Sequence, residues 1–343
     1  MPFLEANGFA VERGAYGMET AFRGEWGHGP TTIAICAEYD ALPEIGHACG
    51  HNLIATAGAG SAVALVQALD PAAARIVILG TPAEEGTGGK CIMIQQGAFD
   101  DIDVAMMAHP MAVDIVDPPM LGVIHVDIEY RGNAVHASVA PEQGRNALDA
   151  LVTAYQAVAQ LRQHIRRDAR IHGIITHGGA APNIVPDYTT GKFYIRAQQP
   201  KYLEELRSRV AACFQAGALA TGCELIVDWQ KYPVYEPMHA NRAMAEAYRR
   251  NAEALGRQFV DIPNVSTGST DMGNVSQVVP AIHPTFGVGQ MIFNHTPDFT
   301  AAAITDAAHA SMLQTAQALA MTGVDLALDP ELVRRAKAEF TGR

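Results

Sequence analysis

The chain has 343 residues, 49% of them hydrophobic and 17% charged, and a formal net charge of −12. One hydrophobic core rarely grows past about 250–300 residues, so two domains are expected, and the composition is that of an ordinary globular protein rather than a disordered one. The acidic balance, without a Lys/Arg-rich run, argues against nucleic acid and anionic membrane surfaces as partners; a small-molecule substrate stays open, because a cleft carries its own local charge.

Cysteines at 36, 49, 91, 213 and 223 are few and odd in number, which suits a reducing cytoplasm better than a disulfide framework. Met1-Pro-Phe-Leu-Glu5 has no basic segment followed by an apolar stretch, so no signal peptide is expected. No run approaches the ~20 apolar residues of a membrane span.

The first third alternates short apolar runs with helical patterns. Thr32–Cys36, Arg75–Leu79 and Val104–Ala108 read as buried strands, with helices near 53–69 and 89–96. This alternation predicts a mixed, mostly parallel sheet covered by helices, an α/β catalytic domain. Each strand is soon followed by polar residues: Glu38 and Asp40, then Glu84 and Glu85, then His109. Open α/β sheets bind ligands beyond the carboxyl ends of their strands, so three strands deliver chemistry to one edge.

The pattern changes near Asp117-Pro-Pro119. Gly122 to Tyr130 alternates as a half-exposed strand, and Leu148 to Ile165 follows helical spacing. Strands at 172–176 and 191–197, a helix over 201–220 that Gly222 can stop, and a strand at 224–229 follow. The order strand–helix–strand–strand–helix–strand is ferredoxin-like. Residues 119–231 thus read as an α+β domain inserted into a discontinuous catalytic domain, 1–118 and 232–343.

The densest chemistry lies in His47-Ala-Cys-Gly-His-Asn52, followed about thirty residues later by Pro82-Ala-Glu-Glu-Gly86. Thiolate, imidazole and carboxylate are the side chains that hold a divalent transition metal. Cys49 alone is as readily a small apolar residue, and Glu84-Glu85 alone a solvated turn. Two acids directly after a buried strand need a reason, and a metal supplies one: it takes one carboxylate while the neighbour serves as general base. His109, ending a strand, and His295, in Phe293-Asn-His-Thr-Pro297, are individually ambiguous; together they would complete a second metal position. In the inserted segment stand His136, Asn183 and Arg196, the last of which reads equally as a surface ion-pair partner.

Tyr39-Asp-Ala-Leu-Pro43, His47-Ala-Cys-Gly-His51, Pro82-Ala-Glu-Glu-Gly86, His109-Pro110, Gly132-Asn-Ala-Val-His-Ala137 and Asn183-Ile-Val-Pro-Asp187 occur in this order. In them the chain resembles the co-catalytic metallohydrolases that include aminoacylases and carboxypeptidase G. Its motifs are most similar to the amidohydrolase branch of indole-acetyl-amino-acid hydrolase and p-aminobenzoyl-glutamate hydrolase type. Asn52 and Gly268-Ser-Thr-Asp-Met-Gly-Asn-Val-Ser276 shift the resemblance away from the auxin-conjugate side and toward p-aminobenzoyl-glutamate hydrolases and dipeptidases.

The resemblance implies a zinc-peptidase-like catalytic domain with an inserted ferredoxin-like dimerisation, or lid, domain. It also implies about one further helix before Phe3 than this sequence carries. It implies two divalent metal ions per subunit, manganese or zinc, with cobalt or nickel as other options. Cys49 would bridge them, with His51 and Glu85 on one ion and His109 and His295 on the other. Glu84 is implied as general base, Asp40 as the residue orienting a ligand histidine, and His136 as an oxyanion stabiliser reaching across a homodimer interface. Asn183 and Arg196 are implied as the substrate clamp, the guanidinium suiting a free carboxylate.

The expected activity is hydrolysis of the amide bond of an N-acyl amino acid, a p-aminobenzoyl-glutamate-like conjugate or a dipeptide. The alternatives are a deaminase or C–N hydrolase acting on a small aromatic acid with the same metals, and a non-catalytic metal-dependent binding module, for which Glu84 beside Glu85 would have no purpose.

Overall fold

The computed structural model describes residues 1–261 and 268–342. The chain divides into two compact units. One comprises Met1–Pro119 and the chain from Met238 onward apart from Gly268–Thr270; the other is Met120–Pro237 with Gly268–Thr270.

In chain order the strands are β1 Ala10–Arg13, β2 Phe22–Gly27, β3 Thr32–Glu38, β4 Arg75–Thr81, β5 Val104–Met106, β6 His109–Met111, β7 Gly122–Arg131, β8 Arg170–His177, β9 Tyr188–Ala197, β10 Glu224–Asp228, β11 Ala281–Ile282 and β12 Thr285–Gly287.

The first unit is built on a six-stranded sheet ordered β1-β2-β4-β3-β5-β11. β3 runs parallel to both β4 and β5, and β5 parallel to β11, while β1 and β2 form an antiparallel edge. β3 is buried along its whole length. Successive side chains of a strand point to opposite faces, and here both faces are covered. Ile33, Ile35 and Ala37 join a core with Leu53, Leu65 and Leu319, whereas Ala34 and Cys36 join another with Met93, Met272 and Val275. A strand buried on both faces has no polar alternation, which is why Thr32–Cys36 reads as a continuous apolar run.

Helix His51–Ala68 links β3 to β4, and helix Gly89–Gln95 lies between β4 and β5. The segments that follow β3, β4 and β5 carry Asp40, Glu84, Glu85 and His109. β3 and β4 run two residues beyond their predicted ends, and β5 is two residues shorter than predicted. The β1–β2 hairpin has no counterpart in the sequence reading: β1 is mostly exposed and short, so it shows no clean alternation.

The second unit runs β7, helix Ala147–Leu161, β8, β9, helix Pro200–Thr221, β10. Its four strands are antiparallel in the order β10-β7-β9-β8, the ferredoxin-like arrangement. Ile124, Val126, Ile128 and Tyr130 of β7 and Phe193 and Ile195 of β9 pack under Leu151, Val158, Leu206 and Phe214. By alternation, the other face carries His125, Asp127, Tyr194 and Arg196. β9 begins three residues earlier than predicted, because Tyr188 and Thr190 extend the pairing with β7. Among the described residues no helix is long and apolar enough to cross a membrane.

Candidate metal centre

Three backbone features place the ligating side chains. Gly50 adopts φ 75°, and a Cβ there would meet Pro110 Cγ at 2.5 Å, so only glycine lets the Cys49 turn lie against the His109–Pro110 segment. The helix then starts at His51, two residues before the predicted stretch near 53–69. Ala83 takes φ 64° just before Glu84, and His295 itself sits at φ 64°. Left-handed geometry at non-glycine residues costs of order 1–3 kcal/mol and collects at functional sites. Here it turns Glu84 and the His295 side chain to where they stand, and the His295 backbone N–H is pinned to Ala48 O at 2.8 Å.

Cys49, His51, Glu85, His109 and His295 come together. Their ligand atoms form two groups that share Cys49: Cys49 with His51 and His109, and Cys49 with Glu85 and His295, each within 4.8 Å. This division differs from the one the family resemblance implied, which paired His51 with Glu85. Cys49 Sγ lies 3.5 Å from His109 Nε2, and His295 Nε2 lies 3.4 Å from Glu85 Oε1. Ligands bound tetrahedrally to one zinc-sized ion at ~2.0–2.3 Å stand roughly 3.4–3.6 Å apart. The observed spacings fit ligands around a common ion.

Hydrogen bonding aims the ligands. His51 Nδ1 is 3.2 Å from Asp40 Oδ1, which leaves Nε2 for a metal. His109 Nδ1 is 2.9 Å from Pro110 O, turning its Nε2 to Cys49. Asn294 Nδ2 donates to Pro110 O at 3.2 Å and approaches Cys49 Sγ at 3.8 Å. His51 Nε2 and Glu85 Oε1 are buried without a hydrogen-bond partner. Buried polar atoms are almost always partnered, so two orphans at the meeting point of the ligands fit a cation.

Protonation points the same way. Burial pushes the Cys49 thiol well above its ordinary value, and Glu85, Glu84 and Glu38 push it further. Only a cation would make a thiolate there. Burial alone would lower His51, but Glu38, Asp40 and Glu85 outweigh it and raise it to about 9. A proton on His51 occupies the position a metal would take. His109 is lowered to about 4, by burial first and by His51 next. Burial raises Asp40, yet its hydrogen bonds with His51 and the Glu85 N–H prevail and hold it at about 2. Burial, Glu38 and Asp271 raise Glu84 well above the usual carboxylate range, with Lys90 opposing them.

Three residues of this region, Lys90, Asp271 and His283, were not singled out from the sequence, and Glu38 was noted there only as a polar residue after its strand. Lys90 is fully buried and pairs with Glu38 and, at 2.7 Å, with Asp271, both also fully buried. Glu38 Oε1 lies 3.2 Å from His51 Nε2. His283 is buried edge-on to His109, ring centres 5.7 Å apart. Lys90 carried the one usable signal: a lysine inside the apolar helix Gly-Lys-Cys-Ile-Met-Ile.

In the second unit His136 and Asn183 are neighbours: His136 bridges Ile184, and Ala137 N–H donates to Asn183 O at 2.9 Å. Both are exposed, and His136 Nδ1 is 3.1 Å from Ser138 Oγ. Arg196 is held on β9 by Ser269 Oγ at 2.7 Å and lies beside His172 Nε2 at 3.3 Å.

A mixed α/β sheet with a Cys–His–Glu centre at its strand ends defines a metallopeptidase-like class. Residues 34–316 match the profile of Peptidase family M20/M25/M40, and the chain belongs to that family of hydrolases. It is 43% identical to the Xaa-Arg dipeptidase of Mus musculus over 339 residues, 95% of this chain and 78% of that protein. It is 29% identical to one of the subunits of the p-aminobenzoyl-glutamate hydrolase of Escherichia coli, covering 98% of this chain and 85% of that one. A solved dinuclear metal binding peptidase of the M20 family from Bacillus subtilis superposes with TM-score 0.66 at 18% identity, covering 93% and 89% of the two chains; that likeness carries the fold.

Proposed function

We propose that this M20/M25/M40 hydrolase is a dinuclear metal-dependent amidohydrolase that releases an amino acid with a free carboxylate from a dipeptide or N-acyl conjugate. The two ligand groups that share Cys49 carry this reading. Zinc or manganese suits the donor set, since thiolate and imidazole favour zinc while carboxylates admit manganese. When bound, the ions supply Lewis acidity and an acidified water.

Within the chain, Asp40 orients His51 and tethers the Glu85 backbone. Glu84, buried and raised in proton affinity, accepts the proton from the attacking water and hands it to the departing amine nitrogen. Arg196 and Asn183 hold the carboxylate of the leaving amino acid, Arg196 through its planar fork. His136, exposed and facing solvent, donates to the developing oxyanion from a neighbouring subunit of a homodimer. The dipeptide reading is favoured over the others by the similarity to Xaa-Arg dipeptidases, which spans nearly the whole chain. Five free cysteines suit a cytoplasmic enzyme.

The test is a product assay on Xaa-Arg and other dipeptides, N-acyl amino acids and p-aminobenzoyl-glutamate. Release of the free C-terminal amino acid supports the amidohydrolase. Ammonia as the only product would instead favour a deaminase on the same centre.

A further inference from the structure

Outside the two ligand groups that share Cys49 stands a third: Glu38, His51 and Glu84, whose ligand atoms also lie within 4.8 Å of one another. Glu38 and His51 are almost fully enclosed, with 0% and 1% exposure, and Glu84 has 8%. Glu38 Oε1 and His51 Nε2 both lack a hydrogen-bond partner and stand 3.2 Å apart. Two ligands of one ion at ~2.0–2.2 Å are about 3.4 Å apart in a tetrahedral site, so the pair is spaced to chelate. The Lys90 ammonium does not block it, since it binds the other oxygen of Glu38.

We propose that Glu38, His51 and Glu84 form an alternative metal seat that inactivates the enzyme when filled. The inference rests on the reading of Glu84 as general base. His51 has only Nε2 to give, because Asp40 takes Nδ1. The seat and the Cys49–His51–His109 position are therefore mutually exclusive. An ion in the alternative seat occupies Glu84 and removes the group that accepts the water proton. The two positions differ in hardness: two carboxylates and one imidazole against a thiolate and two imidazoles. Oxygen-preferring cations such as manganese favour the first, zinc the second. Loss of the Cys49 thiolate, by substitution or oxidation, shifts any metal toward the carboxylates.

The experiment loads chelator-stripped full-length protein with cobalt(II) alone. It reads bound ion per chain and the thiolate-to-cobalt charge-transfer absorption. The wild type shows that absorption through Cys49. Cys49→Ala loses it yet keeps one cobalt per chain. Adding Glu38→Gln, or separately Glu84→Gln, to Cys49→Ala weakens that remaining ion at least tenfold. The second substitution serves should the first, beside Lys90, disturb folding. A folded Cys49→Ala protein that binds no cobalt, or whose cobalt is indifferent to either glutamine substitution, overturns the alternative seat. A wild type without the thiolate absorption would count against the Cys49-centred reading itself, and the Cys49→Ala variants would still decide the seat.

Discussion

Asp40 organises two metal-ligand candidates at once: one carboxylate oxygen lies 3.2 Å from His51 Nδ1, and the other accepts the Glu85 backbone N–H at 3.0 Å. One side chain thereby fixes the ring orientation of His51 and the turn that carries Glu85. Removing such a partner of a ligand typically costs about 10–100-fold in metal affinity. Asp40→Ala is expected to weaken metal binding by that factor, measured by competition with a chromophoric chelator. Unchanged affinity would show that His51 needs no orienting partner.

Glu84→Gln keeps the side-chain volume and leaves Cys49, His51, Glu85, His109 and His295 in place. General-base catalysis is worth about 10²–10⁴-fold. The variant should retain its metal, by elemental analysis, and lose turnover by that range. Full turnover would assign the proton transfer to another group.

Arg196 tests the substrate side. A charged hydrogen bond to a carboxylate contributes about 1.5–3 kcal/mol, so Arg196→Met should lower kcat/KM by roughly 10–100-fold on a dipeptide. The same variant should discriminate little between a free C-terminal carboxylate and its amide, whereas the wild type prefers the free acid. Equal preference in both proteins would remove Arg196 from the clamp.

The buried Glu38–Lys90–Asp271 cluster should dominate local stability. Breaking a buried ion pair by deleting one partner costs about 3–5 kcal/mol. Lys90→Met should therefore lower the urea midpoint substantially. A midpoint equal to the wild type would mean that the two carboxylates take up protons at little cost.

A pH effect follows from His125 in the second unit, a buried ring edge-on to Tyr194, Tyr232 and Tyr235. Burial first, then Arg196, lower it to about 4 from an ordinary 6.5. Its folded pKa is below the unfolded one, so its contribution is fully present above pH 6.5 and is lost as pH falls from there toward 4. Between pH 7 and 5 this amounts to about 2 kcal/mol. Urea unfolding of the wild type and His125→Gln at both pH values should show a smaller pH dependence in the variant. An equal dependence would assign the acid sensitivity to other groups.

The ligand set and the fold were legible in the sequence to different degrees. Asp40, Cys49, His51, Glu84, Glu85 and His109 follow buried strands, and apolar runs ended by reactive side chains stand out without a structure. The pairing of ligands around Cys49 did not, because spacing along the chain says nothing of which side chains meet beyond a turn. Glu38 was noted only as a polar residue after a strand, since its partner Lys90 is 52 residues away. Asp271 and His283 lie after the inserted unit, where nothing local reveals what they face. The ferredoxin-like unit was readable because β9 and the second half of β7 are covered on one face only, which leaves the period-2 alternation visible there.

Amide hydrolysis during metal titration tests the central claim most directly. Chelator-stripped protein is titrated with zinc while free amino acid released from a dipeptide is followed. Activity that is absent without metal and reaches its maximum at two ions per chain is the predicted result. Undiminished hydrolysis in chelator, or none on any amide substrate with two ions bound, would contradict it.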